Sequence, residues 1–220
     1  MKVKDAINLH KGLTFFFVLG LMLAYQNFTL GAWVYLALHG TYGSLWLLKD
    51  RIFPDKQWEQ EISFGLGVFT FGLVNLYWVA PFILISSGTV PPLPLVAAAI
   101  SINILGVFLS FASDAQKHYT LKYRSGLITE GFFARCRNTN YLGEILIYTA
   151  FAMLTQHWLP FLILAGFVYG VFIPNTSKKD QSLSRYPEFA DYQERSGLLL
   201  PKFIVSKTSN SEDAIAQKIG

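Results

Sequence analysis

The feature that most limits how this chain can fold is a set of three long stretches without Asp, Glu, Lys or Arg. They are residues 12–48, 62–113 and 145–177. A helix crosses the hydrocarbon core of a bilayer with about 20 apolar residues, so each stretch is too long for a single span. The composition agrees, because 15% of the residues are charged, whereas soluble domains average about 25%. The chain is therefore predicted to be an integral membrane protein.

A polar or proline-containing break lies near the middle of each stretch. The breaks are Gln26-Asn27, the segment 86–92, and Gln156-His157 followed by Pro160. Breaks of this kind favour a turn between two helices. We predict an all-α fold, a polytopic membrane helical bundle of about six transmembrane helices arranged as three hairpins. The third stretch is short for two spans, so it indicates either two full spans or a tilted, partly re-entrant pair.

The positive charges predict the orientation of the bundle. All 18 Lys and Arg residues lie outside the three stretches, and no hairpin tip carries one. The positive-inside rule then places both termini, including a cytosolic C-terminal tail, in the cytoplasm. The membrane is either a bacterial inner membrane or the endoplasmic reticulum. We expect the net charge of +4 to face anionic lipid rather than nucleic acid, and we predict no metal site.

The segment before the third stretch contains the densest set of polar residues. Asn138, Thr139 or Asn140 is placed to cap a helix, and Arg135 and Arg137 precede it. The N–H groups and positive dipole end of such a helix bind phosphate or carboxylate groups well. The alternative is an ordinary interfacial helix start, with the arginines on lipid headgroups and Glu144 paired to one of them.

Two further segments carry candidate residues. Residues 187–196 are typical of a short amphipathic helix, which in the simplest case lies on the bilayer surface. In the second predicted span, His39 and Tyr42 share a helical face with Trp46. An ionisable side chain inside a span is a functional candidate, and the alternative for His39 is a neutral imidazole bonded to a neighbouring helix.

These segments together resemble one superfamily of membrane enzymes. The matching blocks are Ser113-Asp114-Ala115-Gln116-Lys117, Gly131, the run from Arg135 to Glu144, and a tyrosine-containing tail that closes on Leu199-Leu200-Pro201. The superfamily includes the steroid 5-alpha-reductases, a related uncharacterised family, the sterol reductases and the isoprenylcysteine carboxyl methyltransferases. The resemblance covers about residues 113–203, and the earlier spans match only in being hydrophobic.

The resemblance implies a division of labour along the chain. Residues 1–112 are then a four-helix, substrate-side half, and 113–203 are a cofactor-binding half. The composition predicts a disordered tail at 204–220. The matching motif assigns cofactor contacts to Asp114, Asn140, Tyr141, Gly143, Glu144 and Tyr192. With the polar residues around them, the predicted cofactor-binding set is completed by Lys117, Arg124, Arg135, Arg137, Tyr186 and Arg195.

The reductases of this superfamily use NADPH, and the methyltransferases use S-adenosylmethionine. Methyltransferases typically have Arg-His-Pro where this chain has Arg137-Asn138-Thr139, which favours a reductase, although several sterol reductases retain that His-Pro pair. Our leading prediction is an NADPH-dependent enzyme that reduces a C=C bond in a steroid, isoprenoid or other lipid taken from the bilayer. The alternatives are an S-adenosylmethionine-dependent methyltransferase of the isoprenylcysteine carboxyl or phospholipid type and a non-enzymatic membrane scaffold.

The proton donor is the open point of the reductase prediction. The steroid 5-alpha-reductases polarise the substrate ketone with a Glu–Tyr pair from the N-terminal half, whereas stretches 12–48 and 62–113 contain no acidic residue here. Hydride addition to a conjugated C=C bond still requires a donor to the developing oxyanion. The predicted catalytic residues are His39, Tyr42 and Glu144, with Tyr35 and Tyr77 as further candidate donors.

Overall fold

The structure, a computed structural model, describes residues 1–203 of the 220-residue chain. This part is helical, as predicted, and contains no strand. The α-helices are α1 (Val3–Ala24), α2 (Leu30–Ile52), α3 (Phe64–Val74), α4 (Val79–Ser86), α5 (Leu93–Tyr123), α6 (Thr139–Thr155), α7 (Trp158–Phe167), α8 (Ile173–Leu183) and α9 (Phe189–Arg195). The predicted tail at 204–220 lies outside the described residues.

Short irregular turns join two pairs of these helices into continuous rods. A 3-10 turn, Asn75–Trp78, connects α3 to α4, and a π turn, Val168–Phe172, connects α7 to α8. The hairpins reverse where the sequence predicts. Gln26 and Gln156 adopt left-handed backbone conformations, with φ of 50° and 51°, which end helices because they redirect the chain.

Four helical rods are long and apolar enough to cross a membrane. They are Val3–Ala24, Phe64–Ser86, Leu93–Tyr123 and Trp158–Leu183. Helix α6, which has 17 residues, packs against α2, α4, α5 and α7. A helix with so many protein neighbours tolerates more polar residues than one that faces lipid. The structure thus supports an integral membrane protein, while the count of six spans and the orientation of the termini stay predictions.

Helices α5 and α6 form the most extensive helix pair, and two glycines permit their close approach. A Cβ added to Gly143 would lie 2.5 Å from the backbone nitrogen of Ser110, and one added to Gly106 would lie 2.7 Å from the carbonyl oxygen of Gly143. Small residues at such crossings allow backbones to meet. Gly143, predicted as a cofactor contact, is therefore first a packing residue.

The loop between α2 and α3 is fastened to the N-terminus. Val3 N–H donates to Gln60 O at 3.1 Å, and Ile62 N–H donates to Met1 O at 2.9 Å. Hydrogen bonds from the Lys2 and Lys4 ammonium groups hold the pKa of Glu59 below its ordinary value. The loop is thereby held across the charged end of the bundle.

The glycine contact predicts a specific loss of stability. Gly143→Ala should lower the free energy of unfolding by about 1–3 kcal/mol, because the added methyl group overlaps the α5 backbone. Gly166→Ala in α7 is the matched control, since a Cβ there meets nothing within 4 Å, and it should leave stability unchanged or slightly raised. Unfolding of the detergent-solubilised variants measures both effects, and equal stability of the two would contradict the packing role.

Candidate functional site

A cavity opens within the half of the bundle that carries the charged loops. It encloses about 990 Å³, including the space open to solvent at its mouth. Its walls come from α1, α2, α3, α5, α6 and α7, from the two irregular turns and from the loop that carries Asp55, Gln57 and Trp58. The cavity thus joins the helices of the predicted substrate half to those of the predicted cofactor half.

The carboxylate of Glu144 lies in the wall of this cavity and is held from behind by α2. The hydroxyl group of Tyr42 lies 2.6 Å from both carboxylate oxygens of Glu144, and Ser110 Oγ donates to Oε1 at 3.2 Å. Tyr42 is 1% exposed and does not itself line the cavity. The arrangement fixes the position of a carboxylate at the membrane-embedded end of the site.

A buried lysine faces the same space from α1. Lys11 is 6% exposed, and its Nζ donates to the hydroxyl oxygen of Tyr148 at 2.7 Å. The ammonium group also lies 4.0 Å from the ring centroid of Tyr42 and 5.0 Å from that of Trp46. Aromatic faces attract cations, so these rings help to keep a charge stable in the bundle.

Several polar atoms of the cavity wall have hydrogen-bonding capacity that no described residue meets. Of the six buried side-chain atoms without a partner in residues 1–203, three belong to residues that line this cavity: His10 Nε2, Tyr77 Oη and Asp114 Oδ1. Native structures leave few such atoms unpaired, and each one requires an explanation. Each of these three atoms is itself buried, so the packing of the cavity wall leaves polar groups without a protein partner in residues 1–203.

Two ion pairs lie at the mouth of the cavity. Lys49 is paired with Asp114, and Lys117 Nζ lies 2.7 Å from Asp55 Oδ2. Burial raises the pKa of Asp55, but the Lys117 ammonium and the Gln57 N–H outweigh burial and hold the pKa below its ordinary value. Asp55 is consequently ionised near neutral pH, and the pair fastens the loop to α5.

An outer cleft continues from the mouth towards the charged face. It encloses about 930 Å³, open solvent included, and shares Asp55 and Asp114 with the cavity. Lys56, Lys117 and Lys122 line it. The two spaces therefore adjoin at Asp55 and Asp114, each of which is held in an ion pair.

Five of the predicted cofactor-binding residues line the cavity or the outer cleft. Asp114, Asn140, Tyr141 and Glu144 line the cavity, and Lys117 lines the outer cleft. Arg124, Arg135 and Arg195 are exposed, and Tyr186 lies at the surface with the guanidinium of Arg185 over its ring. Those four residues do not line the cavity or the outer cleft.

Arg137 and Tyr192 hold the C-terminal segment in place. Arg137 Nε donates to Asp180 Oδ2 at 3.0 Å, and its Nη1 donates to Ser196 O at 2.5 Å. Tyr192 Oη donates to Phe133 O at 2.7 Å, and burial raises its pKa well above the ordinary value, which keeps the hydroxyl protonated. Arg137 also lines a separate cleft with Lys117, Lys179 and Tyr192, so its predicted cofactor contact stays a prediction. Helix α9 likewise packs on the loop before α6 through Tyr192.

His39 packs among aromatic side chains. Its Nδ1 lies 3.1 Å from Tyr35 Oη, and its ring stacks on Phe151 at 4.2 Å between centroids. The His39 and Tyr42 ring centroids are 6.5 Å apart, and His39 does not line the cavity. The hydrogen-bonding partner of His39 comes from the neighbouring turn of α2 rather than from a neighbouring helix, and its predicted catalytic role stays a prediction.

Four residues that line the cavity were not in the predicted site: His10, Lys11, Lys49 and Tyr148. His10 and Lys11 belong to the first charged segment, which served only to assign topology. A signal for Tyr148 was present, since it follows Glu144 by four residues and so lies on the same helical face. No spacing along the chain relates Lys11 to Tyr148, because 137 residues separate them.

Comparison with known proteins places the chain in a family without assigning it an activity. Residues 49–196, more than half of the chain, match the family described as Protein of unknown function (DUF1295). No curated protein and no solved structure matches the chain. The match spans the region from Lys49 to Ser196, which contains both ion pairs at the mouth of the cavity.

The contacts of Arg137 predict a structural role that a matched pair of variants can test. Arg137→Ala should lower the free energy of unfolding by about 3–5 kcal/mol, because it leaves the Asp180 carboxylate buried without its partner. Arg135→Ala, two residues earlier and exposed, should change stability by about 0.5 kcal/mol or less. Thermal unfolding in detergent compares them. An Arg137→Ala protein with normal stability but weakened cofactor binding would restore the anion-binding interpretation.

Proposed function

We propose that this chain, which belongs to the DUF1295 family, is a membrane-embedded enzyme that reduces a C=C bond of a lipid with NADPH. One observation carries the proposal. A cavity lined by the buried Glu144 and Lys11 side chains adjoins a lysine-lined cleft on the charged face at Asp55 and Asp114. A soluble, anionic cofactor and a membrane-borne substrate have separate routes to such a site.

The residues that line the outer cleft and the cavity have hydrogen-bonding groups and charges that suit NADPH. Lys56, Lys117 and Lys122 would hold its phosphate groups, since lysine is a common phosphate ligand. The unpaired Asp114 Oδ1 accepts hydrogen bonds from ribose hydroxyl or carboxamide groups, and Asn140 offers both a donor and an acceptor. NADPH, when bound, supplies a hydride.

The chain's own residues would then orient and shield the reacting groups. Tyr42 and Ser110 fix the Glu144 carboxylate, so that it can accept a hydrogen bond from the cofactor without moving. An acid–tyrosine pair is thereby assembled from α6 and α2, although stretches 12–48 and 62–113 contain no acidic residue. Because Tyr42 donates to Glu144 and does not line the cavity, this pair would serve the cofactor rather than polarise a substrate ketone.

An apolar side of the cavity suits a lipid or isoprenoid substrate. Leu73 and Val74 of α3 and Val171 of the π turn line it. Helix α3 packs mainly on α1 and meets α7 through the turn at 75–78, so a substrate chain can pass between α3 and the α7–α8 rod. The outer surface of α3, including Phe64 and Phe69, is exposed and suits contact with lipid.

A methyltransferase that uses S-adenosylmethionine is the second candidate. The aromatic rings of Trp46 and Trp58 and the carboxylate of Asp114 line the cavity, and aromatic faces and carboxylates stabilise a sulfonium cation. Methyl transfer, however, requires only an aligned, desolvated nucleophile and leaves the Tyr42–Glu144 and Lys11–Tyr148 pairs without a purpose. Those pairs favour the reductase.

Cofactor binding tests the proposal. NADPH at about 100 times its dissociation constant should stabilise the detergent-solubilised protein by about 2.7 kcal/mol, because it binds only the folded state. Asn140→Ala should weaken NADPH binding roughly tenfold or more, the usual cost of a lost polar contact. Lys178→Met, an exposed substitution on α8, serves as the control.

Each other outcome would count against the reductase. Stabilisation by S-adenosylmethionine but not by NADPH would replace it with the methyltransferase. Absence of stabilisation by either cofactor would favour a non-enzymatic membrane scaffold.

A further inference from the structure

We infer that Lys11 and Tyr148 form an oxyanion-binding site for the carbonyl oxygen of a conjugated lipid substrate. The inference rests on the proposed reductase function and deepens it by naming the residues that would bind the substrate oxygen, between α1 and α6. Neither residue belongs to the predicted catalytic set.

The ammonium group of Lys11 is buried and has fewer hydrogen-bonding partners than it has N–H donors. Lys11 is 6% exposed, and Tyr148 Oη is the one oxygen that its ammonium group bonds among the described residues. No carboxylate lies within 4.0 Å of Lys11 Nζ in that part of the chain. An ammonium group carries three N–H donors, so a ligand oxygen at this position would complete a set that the protein leaves open.

The hydrogen bond between Lys11 and Tyr148 runs in a direction that leaves the tyrosine able to donate. Lys11 donates to Tyr148, so the tyrosine oxygen is the acceptor in the pair and its own O–H is available as a donor. The Tyr148 ring is held by Tyr77, which stacks on it at 3.6 Å between centroids. Both tyrosines line the cavity, and a rigid donor in a water-poor site is the arrangement that stabilises developing charge.

Two charged side chains that line the cavity, Glu144 and Lys11, attract opposite partners. Glu144 accepts hydrogen bonds from Tyr42 and Ser110, and a carboxylate held in this way repels a developing oxyanion. The Lys11 ammonium group attracts one. The Glu144 carboxylate therefore suits the cofactor's hydrogen-bond donors, and the Lys11 ammonium group suits the substrate oxygen.

Further side-chain atoms without a hydrogen-bonding partner lie beside Lys11. His10, the next residue of α1, places Nδ1 at 2.9 Å from Asn75 Oδ1. An oxygen acceptor there places the proton on Nδ1 and leaves Nε2 as an acceptor, and Nε2 has no partner among the described residues. Together with the unpaired Tyr77 hydroxyl, it marks this end of the cavity as built for a polar ligand.

The reaction balances with these groups. Bound NADPH would supply a hydride for a new C–H bond at the β-carbon, and the π electrons of the C=C bond would move onto the carbonyl oxygen to give an enolate. Lys11 and Tyr148 would donate hydrogen bonds to that oxygen. A proton from water at the open mouth of the cavity would then add to the α-carbon as the carbonyl group re-forms, so the substrate gains a hydride and a proton while NADPH is oxidised to NADP⁺.

A phenol that mimics the enolate tests the site without cofactor or turnover. The wild-type protein should bind 2-naphthol preferentially as naphtholate, which its fluorescence distinguishes from the neutral form. Lys11→Met should weaken naphtholate binding roughly 10- to 100-fold, the effect of removing a charged donor, and Tyr148→Phe about tenfold. Lys11→Arg should retain most of the binding, and Lys178→Met is the matched control for the loss of one positive charge.

The outcomes separate this inference from the proposed function. Binding of neutral naphthol alone by the wild type, or unchanged naphtholate affinity in both Lys11→Met and Tyr148→Phe, would overturn the oxyanion site. Should Lys11→Met not fold, Tyr148→Phe and Lys11→Arg decide the question in the same assay. A protein that binds naphtholate as expected but is not stabilised by NADPH would refute the proposed reductase while leaving the oxyanion site intact.

Discussion

The close contact between α5 and α6 is the constraint on which the site depends. Gly106 and Gly143 allow the two backbones to meet, and this closeness brings Ser110 within hydrogen-bonding distance of Glu144. One helix pair thus fixes Asp114 at the mouth of the cavity and Glu144 deeper inside it. A larger residue at Gly143 would separate the helices and move two walls of the cavity at once.

Buried charges explain where the cavity lies along the membrane normal. An ionised side chain is costly in hydrocarbon unless it is paired or faces a polar space. Lys49 and Asp114 meet that requirement by pairing with each other, while Glu144 is held by hydroxyl groups and Lys11 by Tyr148 and aromatic rings. All four residues line this one cavity. Under the proposed function, a water-soluble cofactor and a lipid would meet there.

The sequence predicted the hairpins because a single local property, the absence of charge, decides them. The left-handed turns at Gln26 and Gln156 lie at the predicted breaks, and Phe189–Arg195 is helical as expected. The site was predicted less well, because its contacts join residues far apart in the chain. Asp114, Asn140 and Glu144 were found through a local motif, whereas Lys11 and Tyr148 meet only when α1 packs near α6. The contacts of Arg137 with Asp180 and Ser196 were not predicted for the same reason, since these partners lie beyond two further helices.

A structure of the protein in lipid with NADPH bound tests the central claim most directly, namely that the cavity and the outer cleft form one reaction site. The account predicts the phosphate groups in the outer cleft near Lys117 and Lys122 and the reduced ring in the cavity beside Asn140 and Glu144. It also predicts that Lys11 and Tyr148 stay accessible from the apolar side. Cofactor bound elsewhere on the surface, with the cavity closed or filled by lipid alone, would contradict it.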